Sequence, residues 1–182
     1  MRLSMVFTRT VISGMLLAAA ACETGSVNTE PEKTGGSSTA QAPKKEAQVG
    51  DTVPLTDDAA GVSLAVTLTK VVDPAKPGEF ESVANGKRLV AVRFKVKNNS
   101  DNEYQDSPSN GARAIDTTGQ AYDAGLTTAA NCQDFGGGEV RLTKGESQIG
   151  CVTFEVDKNA TVERIRYGAS SGLGSAAEWR IV

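Results

Sequence analysis

Cys22, Cys132 and Cys151 are the side chains of this 182-residue sequence best suited to chemistry, since a thiolate can be acylated, oxidised or bound to a metal. Histidine is absent, which removes the commonest general base and the commonest zinc ligand together. An enzyme would then need paired carboxylates or a Ser-Lys arrangement. The serines, lysines and acids fall in turns at no spacing that would assemble either, and no motif calls for a cofactor. The acidic loop Asp101, Glu103 and Asp106, with Asp116 or Asp123, offers carboxylates to a hard cation. It lacks the glycine and the terminal glutamate of an EF-hand loop, so no metal site is assigned to it. The opposite charge collects on Lys87, Arg88, Arg93, Lys95 and Lys97, a basic stripe suited to an anionic wall polymer and equally explained as the solvated side of a strand. Gly136-Gly137-Gly138 and the Gly168 to Gly174 stretch lack the strand-to-helix context and Lys-Ser/Thr ending of a phosphate loop, and are expected to be connections.

The elements that position these residues begin with an address. Met1 to Thr10 carries Arg2 and Arg9 and no acid, Val11 to Ala18 is apolar, and Ala19-Ala20-Ala21 precede Cys22. A positive start, a short apolar middle and a small-residue exit describe a signal peptide over residues 1–21, too short to serve as a membrane span. The junction resembles the lipobox of bacterial lipoproteins, in which cleavage precedes a cysteine carrying diacylglycerol, although Ala19 stands where that motif prefers leucine. The resemblance implies lipidation of Cys22 and a protein held outside the cytoplasm. The alternative is ordinary A-x-A cleavage that leaves Cys22 a free thiol.

Residues 22–50 then read as a lipidated cysteine and a disordered tether. Glu23 to Gly50 is rich in Ser, Thr, Gly, Pro, Glu, Lys, Gln and Ala, with Val27 and Val49 as its larger apolar residues. Such a stretch cannot bury enough surface to offset chain entropy. As a flexible coil it reaches roughly 30 Å, enough to clear lipid headgroups.

About 130 residues remain, the size of one domain, expected at 51–182. Val62, Leu64, Val66 and Leu68 alternate onto one face of a strand, with Val71 and Val72 beyond them. Asp73-Pro74 to Gly86 reads as a loop. Leu89 to Asn98 is the clearest strand, with Val90, Val92, Phe94 and Val96 facing a core and Arg93, Lys95 and Lys97 facing water. Asn98 to Gly111 is polar and reads as a connection. Further strands are expected at Ala112 to Ile115, Val140 to Leu142, Val152 to Val156, Val162 to Tyr167 and Trp179 to Val182, with turns at Asp116 to Gly119 and Thr143 to Glu146. About seven strands and no required helix predict an all-β, immunoglobulin-like β-sandwich. The net charge of −3 argues against non-specific nucleic-acid binding.

Export makes a bond between Cys132 and Cys151 the default, worth roughly 3 kcal/mol in the chain-entropy account. Because Val152, Phe154 and Val156 share the inward face, Cys151 is expected to point outward or to lie at a strand edge. The bond would staple the Asn131 to Gly138 loop to the sheet.

The run Gly86-Lys87-Arg88-Leu89-Val90-Ala91-Val92-Arg93-Phe94-Lys95-Val96-Lys97-Asn98 is followed by Asp116-Thr117-Thr118-Gly119 with Tyr122. Then come Leu142-Thr143-Lys144-Gly145-Glu146 and Gly150-Cys151-Val152-Thr153-Phe154-Glu155-Val156. This order resembles the DUF4352 family from about Val49 to the C-terminus, with Lys144 where many members have proline. The resemblance implies an immunoglobulin-like fold in secreted or lipid-anchored bacterial proteins, and no reaction. The expected function is a surface-displayed binding or envelope-structural module rather than an enzyme. Its expected partners are the membrane through Cys22 and an envelope protein or wall polymer, not nucleic acid. Cation binding is the alternative, and a hydrolase without histidine a further one.

Overall fold

The computed structural model describes residues 46–181; the expected signal peptide, Cys22 and most of the expected tether lie outside the described residues. The first described strand lies ahead of the boundary expected at Asp51. β1 (Ala47–Gln48) pairs parallel with the last strand of the chain, and Ala47 packs on the core. β2 (Thr52–Asp57) buries Leu55 and pairs antiparallel with β3 (Val62–Ala75). In β3 the alternation does what the sequence predicts: Val62, Leu64, Val66 and Leu68 are all buried. An irregularity between Leu68 and Lys70 resets the phase, so that Val71 lies opposite Val92 of β4 (Lys87–Asn98), as a bulge requires. Asp73, Pro74 and Ala75, expected in a loop, continue β3 through a cis Asp73-Pro74 bond.

β4 is fully buried along Val90, Val92, Phe94 and Val96. Its other face departs from expectation, because Leu89 and Ala91 are buried there too, at 1% and 2% exposure. The polar stretch after Asn98 holds β5 (Tyr104–Asp106), with Tyr104 and Asp106 buried, and a single turn of helix, α1 (Pro108–Gly111). A short 3-10 turn, Ser170–Gly172, packs on α1. The approach needs glycine: a Cβ on Gly111 would overlap the Gly168 carbonyl and stand 3.1 Å from the Gly172 nitrogen.

β6 (Ala112–Asp116) and β7 (Ala121–Asp123) form a hairpin through the predicted turn. β8 (Val140–Leu142) pairs with β5, while β9 (Ser147–Asp157) pairs with β4. The turn expected between β8 and β9 forms, with Glu146 N–H donating to the Thr143 carbonyl at 3.1 Å, yet the two strands diverge to different sheets. β10 (Val162–Gly168) and β11 (Ala176–Arg180) complete the chain.

Eleven strands are thus seen among the described residues where about seven were expected. The additions β1, β2, β5 and β7 are short or polar in sequence, and pairing rather than apolar pattern defines them. One sheet runs β1-β11-β10-β6-β7, a second β2-β3-β4-β9, and β5-β8 forms a small third. The core between the two larger sheets centres on Phe94, whose ring meets Tyr167 edge-on at 5.0 Å and Trp179 at 5.9 Å. The Trp179 indole N–H donates to the Asp51 carbonyl at 2.9 Å, which satisfies its one polar atom. The expected all-β sandwich is therefore the fold.

Candidate functional site

β9 is the edge of its sheet, and an unprotected edge would be free to pair with other chains. Here residues 124–135 form a strap that covers it. Gly125 N–H donates to the Thr153 carbonyl at 2.8 Å, and Cys151 N–H donates to the Gln133 carbonyl at 2.9 Å. Between these two edge contacts the strap crosses the outer face of the sheet. The Thr153 hydroxyl donates to the Thr127 carbonyl at 2.6 Å, the Thr127 hydroxyl to Glu155 Oε1 at 2.6 Å, and Cys132 is bonded to Cys151 with their Cα atoms 5.6 Å apart. Cys151 does face away from Val152 and Phe154, as the strand phase predicts, and only the strap overhead buries it to 7% exposure. The same cover explains Leu89 and Ala91, which pack with Ala129, Ala75 and Val83 in a small core of their own. After Gln133 the chain turns inward and plants Phe135 in the main core.

Beside the strap lies a groove of about 340 Å³. The register of β3 and β4 sets its base in cross-strand rows: Lys70 opposite Arg93, Val72 opposite Ala91, and Ala75 opposite Leu89. The loop after β3 closes one end, where Ala130 N–H donates to the Lys76 carbonyl at 2.8 Å and Gly78 N–H to the Thr128 carbonyl at 3.0 Å. Arg93 Nη2 donates to the Asn131 carbonyl at 3.2 Å, which fixes the guanidinium at the groove wall. Lys70, Lys76 and Arg93 line the groove, and no acidic side chain among the described residues does. An apolar floor under several cations, held by a disulfide-bonded wall, can take an anion with an apolar body; it holds no nucleophile and base arranged for catalysis.

The five basic residues of the expected stripe do not stay together. Arg93, Lys95 and Lys97 share the outer face of β4. Lys87 pairs with Asp157 at 2.6 Å and lies over the Tyr122 ring. Arg88 falls on the inward phase and makes a bidentate pair with Asp73 at 2.6 and 2.8 Å, with a further bond to the Asp157 carbonyl. These two serve structure.

The acids of the candidate cation loop are dispersed as well. Asp101 pairs with Lys144 at 2.5 Å and Glu103 with Arg141 at 3.3 Å. Asp106 points inward and accepts from the Tyr104 hydroxyl at 2.7 Å and the Ser171 hydroxyl at 2.6 Å. Asp123 pairs with Arg113 at 2.5 Å. Asp116 closes its own turn, accepting from the Thr118 N–H and hydroxyl and the Gln120 N–H. No group of three metal-ligating side chains occurs among the described residues.

Sequence reasoning missed three things. Lys70 and Lys76 were passed over because one lies beyond the phase reset at the bulge and the other in a loop. The strap had a signal that went unused, namely Leu89 and Ala91 at outward positions of β4. A cluster joins Tyr104, Asp106 and Ser171, which fall in expected connections, to Tyr167 at the end of an expected strand, and only the fold brings them together. Burial, and then the neighbouring Tyr167, pushes the Tyr104 hydroxyl far above its ordinary pKa, and burial raises Tyr167 in the same way. The Tyr167 hydroxyl is sealed without a hydrogen bond of good geometry. Both phenols are thereby held in the protonated form, and the cluster is an internal clasp.

A family model described as a domain of unknown function, DUF4352, matches residues 49–177. Among solved structures the chain is similar to the secreted protein MPT63 of Mycobacterium tuberculosis, at 15% identity and a TM-score of 0.54 over 77% of this chain and 99% of that one. It is similar to the yjhA protein of Bacillus subtilis at 9% identity and a TM-score of 0.52, over 75% and 99% of the two chains. It also resembles a candidate lipoprotein of Bacillus subtilis, ycdA, at 13% identity and a TM-score of 0.50, covering 74% of this chain and 39% of that one. At these identities the likeness is one of fold. No curated protein matches the sequence.

Proposed function

The chain belongs to the DUF4352 family, and on that premise we propose that it is a non-enzymatic ligand-binding module, displayed outside the cytoplasm and held to the membrane by a lipid on Cys22. The groove beside the strap carries this reading: it combines an apolar floor, three cations and no acid with walls braced by a disulfide and by the sheet itself. Several observations support the address. The bond between Cys132 and Cys151 belongs in an oxidising compartment. It leaves Cys22 as the odd cysteine of three, directly after a signal-peptide pattern, where acylation gives it a use. MPT63 is a secreted protein and ycdA a candidate lipoprotein.

The family motifs themselves support a binding rather than a catalytic reading, because their polar residues are spent on folding. The Asn98 backbone and the Gly145-Glu146 turn are bonded together, with Gly145 N–H donating to the Asn98 carbonyl at 2.8 Å and Asn98 N–H to the Glu146 carbonyl at 3.0 Å, while the Asn98 side chain donates to the Asn102 and Leu142 carbonyls. Asp116 is consumed by its turn and by the Tyr122 hydroxyl at 3.2 Å. The outer face of β3 and β4 keeps Lys70, Arg93, Lys95 and Lys97 without a carboxylate partner among the described residues.

The test is a hydrogen-exchange footprint of the full-length lipidated protein mixed with an extract of its own envelope. Protection of amides in residues 127–135 and on β4 supports the reading. Protection confined to other surfaces, or none at all, overturns it.

A further inference from the structure

The described lysines and arginines of this domain are mostly matched to acids. Lys87, Arg88, Arg113, Arg141, Lys144, Arg164, Arg166 and Arg180 all stand within 4.0 Å of a carboxylate. Those without such a partner among the described residues are Lys158 and a group of five: Lys70, Lys76, Arg93, Lys95 and Lys97. These five lie on the outer face of β3 and β4 or on the loop that follows β3. In a chain of net charge −3, such segregation is a property of one surface and not of composition.

Lys70 and Arg93 sharpen the point, for they are directly opposite one another in the β3–β4 register. Residues so placed have Cβ atoms about 5 Å apart, and like charges there are destabilising. Among the described residues the Arg93 guanidinium has the Asn131 carbonyl to lean on, at 3.2 Å, which leaves most of its N–H groups unspent there. Below this cationic pair the floor turns apolar within one row, at Val72 and Ala91, and stays so at Ala75. The volume, about 340 Å³, lies toward the small end of ligand sites, which run from roughly 300 to 1,000 Å³.

We propose that this groove binds an amphipathic anion, whose carboxylate or phosphate head is shared by Lys70 and Arg93 and whose apolar body lies on Val72, Ala75 and Ala91. A guanidinium fork beside an ammonium is the arrangement that recognises such a head. Binding also removes the like-charge cost that the empty groove carries. The attraction is local: ionic screening over about 8–10 Å confines it to ligands already at the groove. The inference rests on the reading of this domain as a binding module, and names the ligand class for the same site.

The test is an NMR titration of the full chain carrying Cys22→Ser, which keeps tether and domain and removes the lipid. Octanoate and octyl phosphate are the probes, with octylammonium and octan-1-ol as controls. Saturable shifts at Lys70, Ala91, Arg93 and Ala130 with either anion, and none with the controls, are expected; the tighter anion identifies the head. The decisive variant is Lys70→Glu, which places a carboxylate opposite Arg93. It is expected to raise the melting temperature while weakening anion binding at least about tenfold, a pair of effects that misfolding cannot produce. The ligand class is overturned if neither anion binds, if octylammonium binds as well as octanoate, or if Lys70→Glu leaves the affinity unchanged. Should the envelope footprint on the strap persist after such a failure, the binding-module reading stands and only the ligand class is lost.

Discussion

Phe135 lies directly on Gly150: a Cβ added to Gly150 would stand 2.7 Å from Phe135 Cδ1, and nearer still to other ring atoms. Gly150 sits on the inward phase of β9, opposite Phe94, so its missing side chain is the opening through which the strap enters the core. Gly150→Ala is expected to destabilise the domain by about 2–3 kcal/mol through overpacking, and Phe135→Ala by about 3–5 kcal/mol through the cavity it leaves. The two are strongly coupled, because without the ring the methyl group has space. Urea unfolding of the double-mutant cycle checks this, and additive effects would show that the contact is not the one that matters.

The disulfide acts on the same strap from the other side. Reduction of Cys132 and Cys151 is expected to lower the melting temperature, with a loss of about 3 kcal/mol. Amides of the strap are expected to lose protection ahead of those of β4. Thermal melts with and without reductant, followed by hydrogen exchange, read both effects. An unchanged melt would mean that Phe135 and the strap's hydrogen bonds to β9 hold it without the disulfide.

Asn98 is fully buried and fully satisfied. Its Nδ2 donates to the Asn102 carbonyl at 2.7 Å and the Leu142 carbonyl at 3.0 Å, while its Oδ1 accepts from the Ser100 N–H at 2.9 Å and hydroxyl at 2.6 Å. Asn98→Ala strands the buried Leu142 carbonyl and frees the loop that carries Ser100 and Asn102, and is expected to cost about 2–3 kcal/mol. Asn98→Asp, which faces those carbonyls with oxygen in place of N–H, is expected to cost at least as much. Chemical denaturation measures both, and a loss under 1 kcal/mol, about the worth of one ordinary hydrogen bond, would remove the network from the account.

Asn98 also marks where reading the sequence succeeds and where it stops. The strand that it ends was legible because Val90, Val92, Phe94 and Val96 alternate without interruption, and inward valines in β3 gave the same signal. Its own burial was not legible, since Asn-Asn-Ser resembles a solvated loop until its partners in β8 are known. Tyr104 and Asp106 were hidden in the same way: each neutralises the other's polarity, and only tertiary pairing reveals it. The groove failed for a different reason. The bulge after Leu68 moves Lys70 to the outer face, and a one-residue shift of phase is invisible to an alternation count.

The acid limb of stability follows from four carboxylates, of which Asp57 is held below its ordinary value first by the Ser170 side chain. The Thr118 hydroxyl holds Asp116 below its ordinary value of 3.8, with burial opposing. Lys87 does the same for Asp157, and the Thr143 N–H holds Glu146 below 4.5. A group whose pKa is depressed by folding contributes stability that is present above its unfolded value and lost as pH falls through the folded one. The melting temperature is therefore expected to be level near neutrality and to fall as pH drops through the ordinary carboxylate range and below. Asp116→Asn keeps an acceptor but loses the charge. It is expected to lower the melt at neutral pH and to converge on the parent in acid; a difference that is the same at both would deny Asp116 its part.

The anchor is tested by removing one sulfur atom. Each buried methylene contributes about 0.8 kcal/mol to membrane binding, so that one acyl chain holds reversibly while two or three hold effectively for good. Among the described residues no helix is long and apolar enough to cross a membrane, and the cationic face of β3 and β4 adds a salt-sensitive attraction to anionic lipid. Cys22→Ala is accordingly expected to move the protein from the membrane fraction to the soluble exported fraction. A high-salt wash separates the two causes of retention. Protein that leaves only with salt is held by Lys70, Arg93 and their neighbours, and protein that stays on the membrane through salt without Cys22 would show that the lipid was never the anchor.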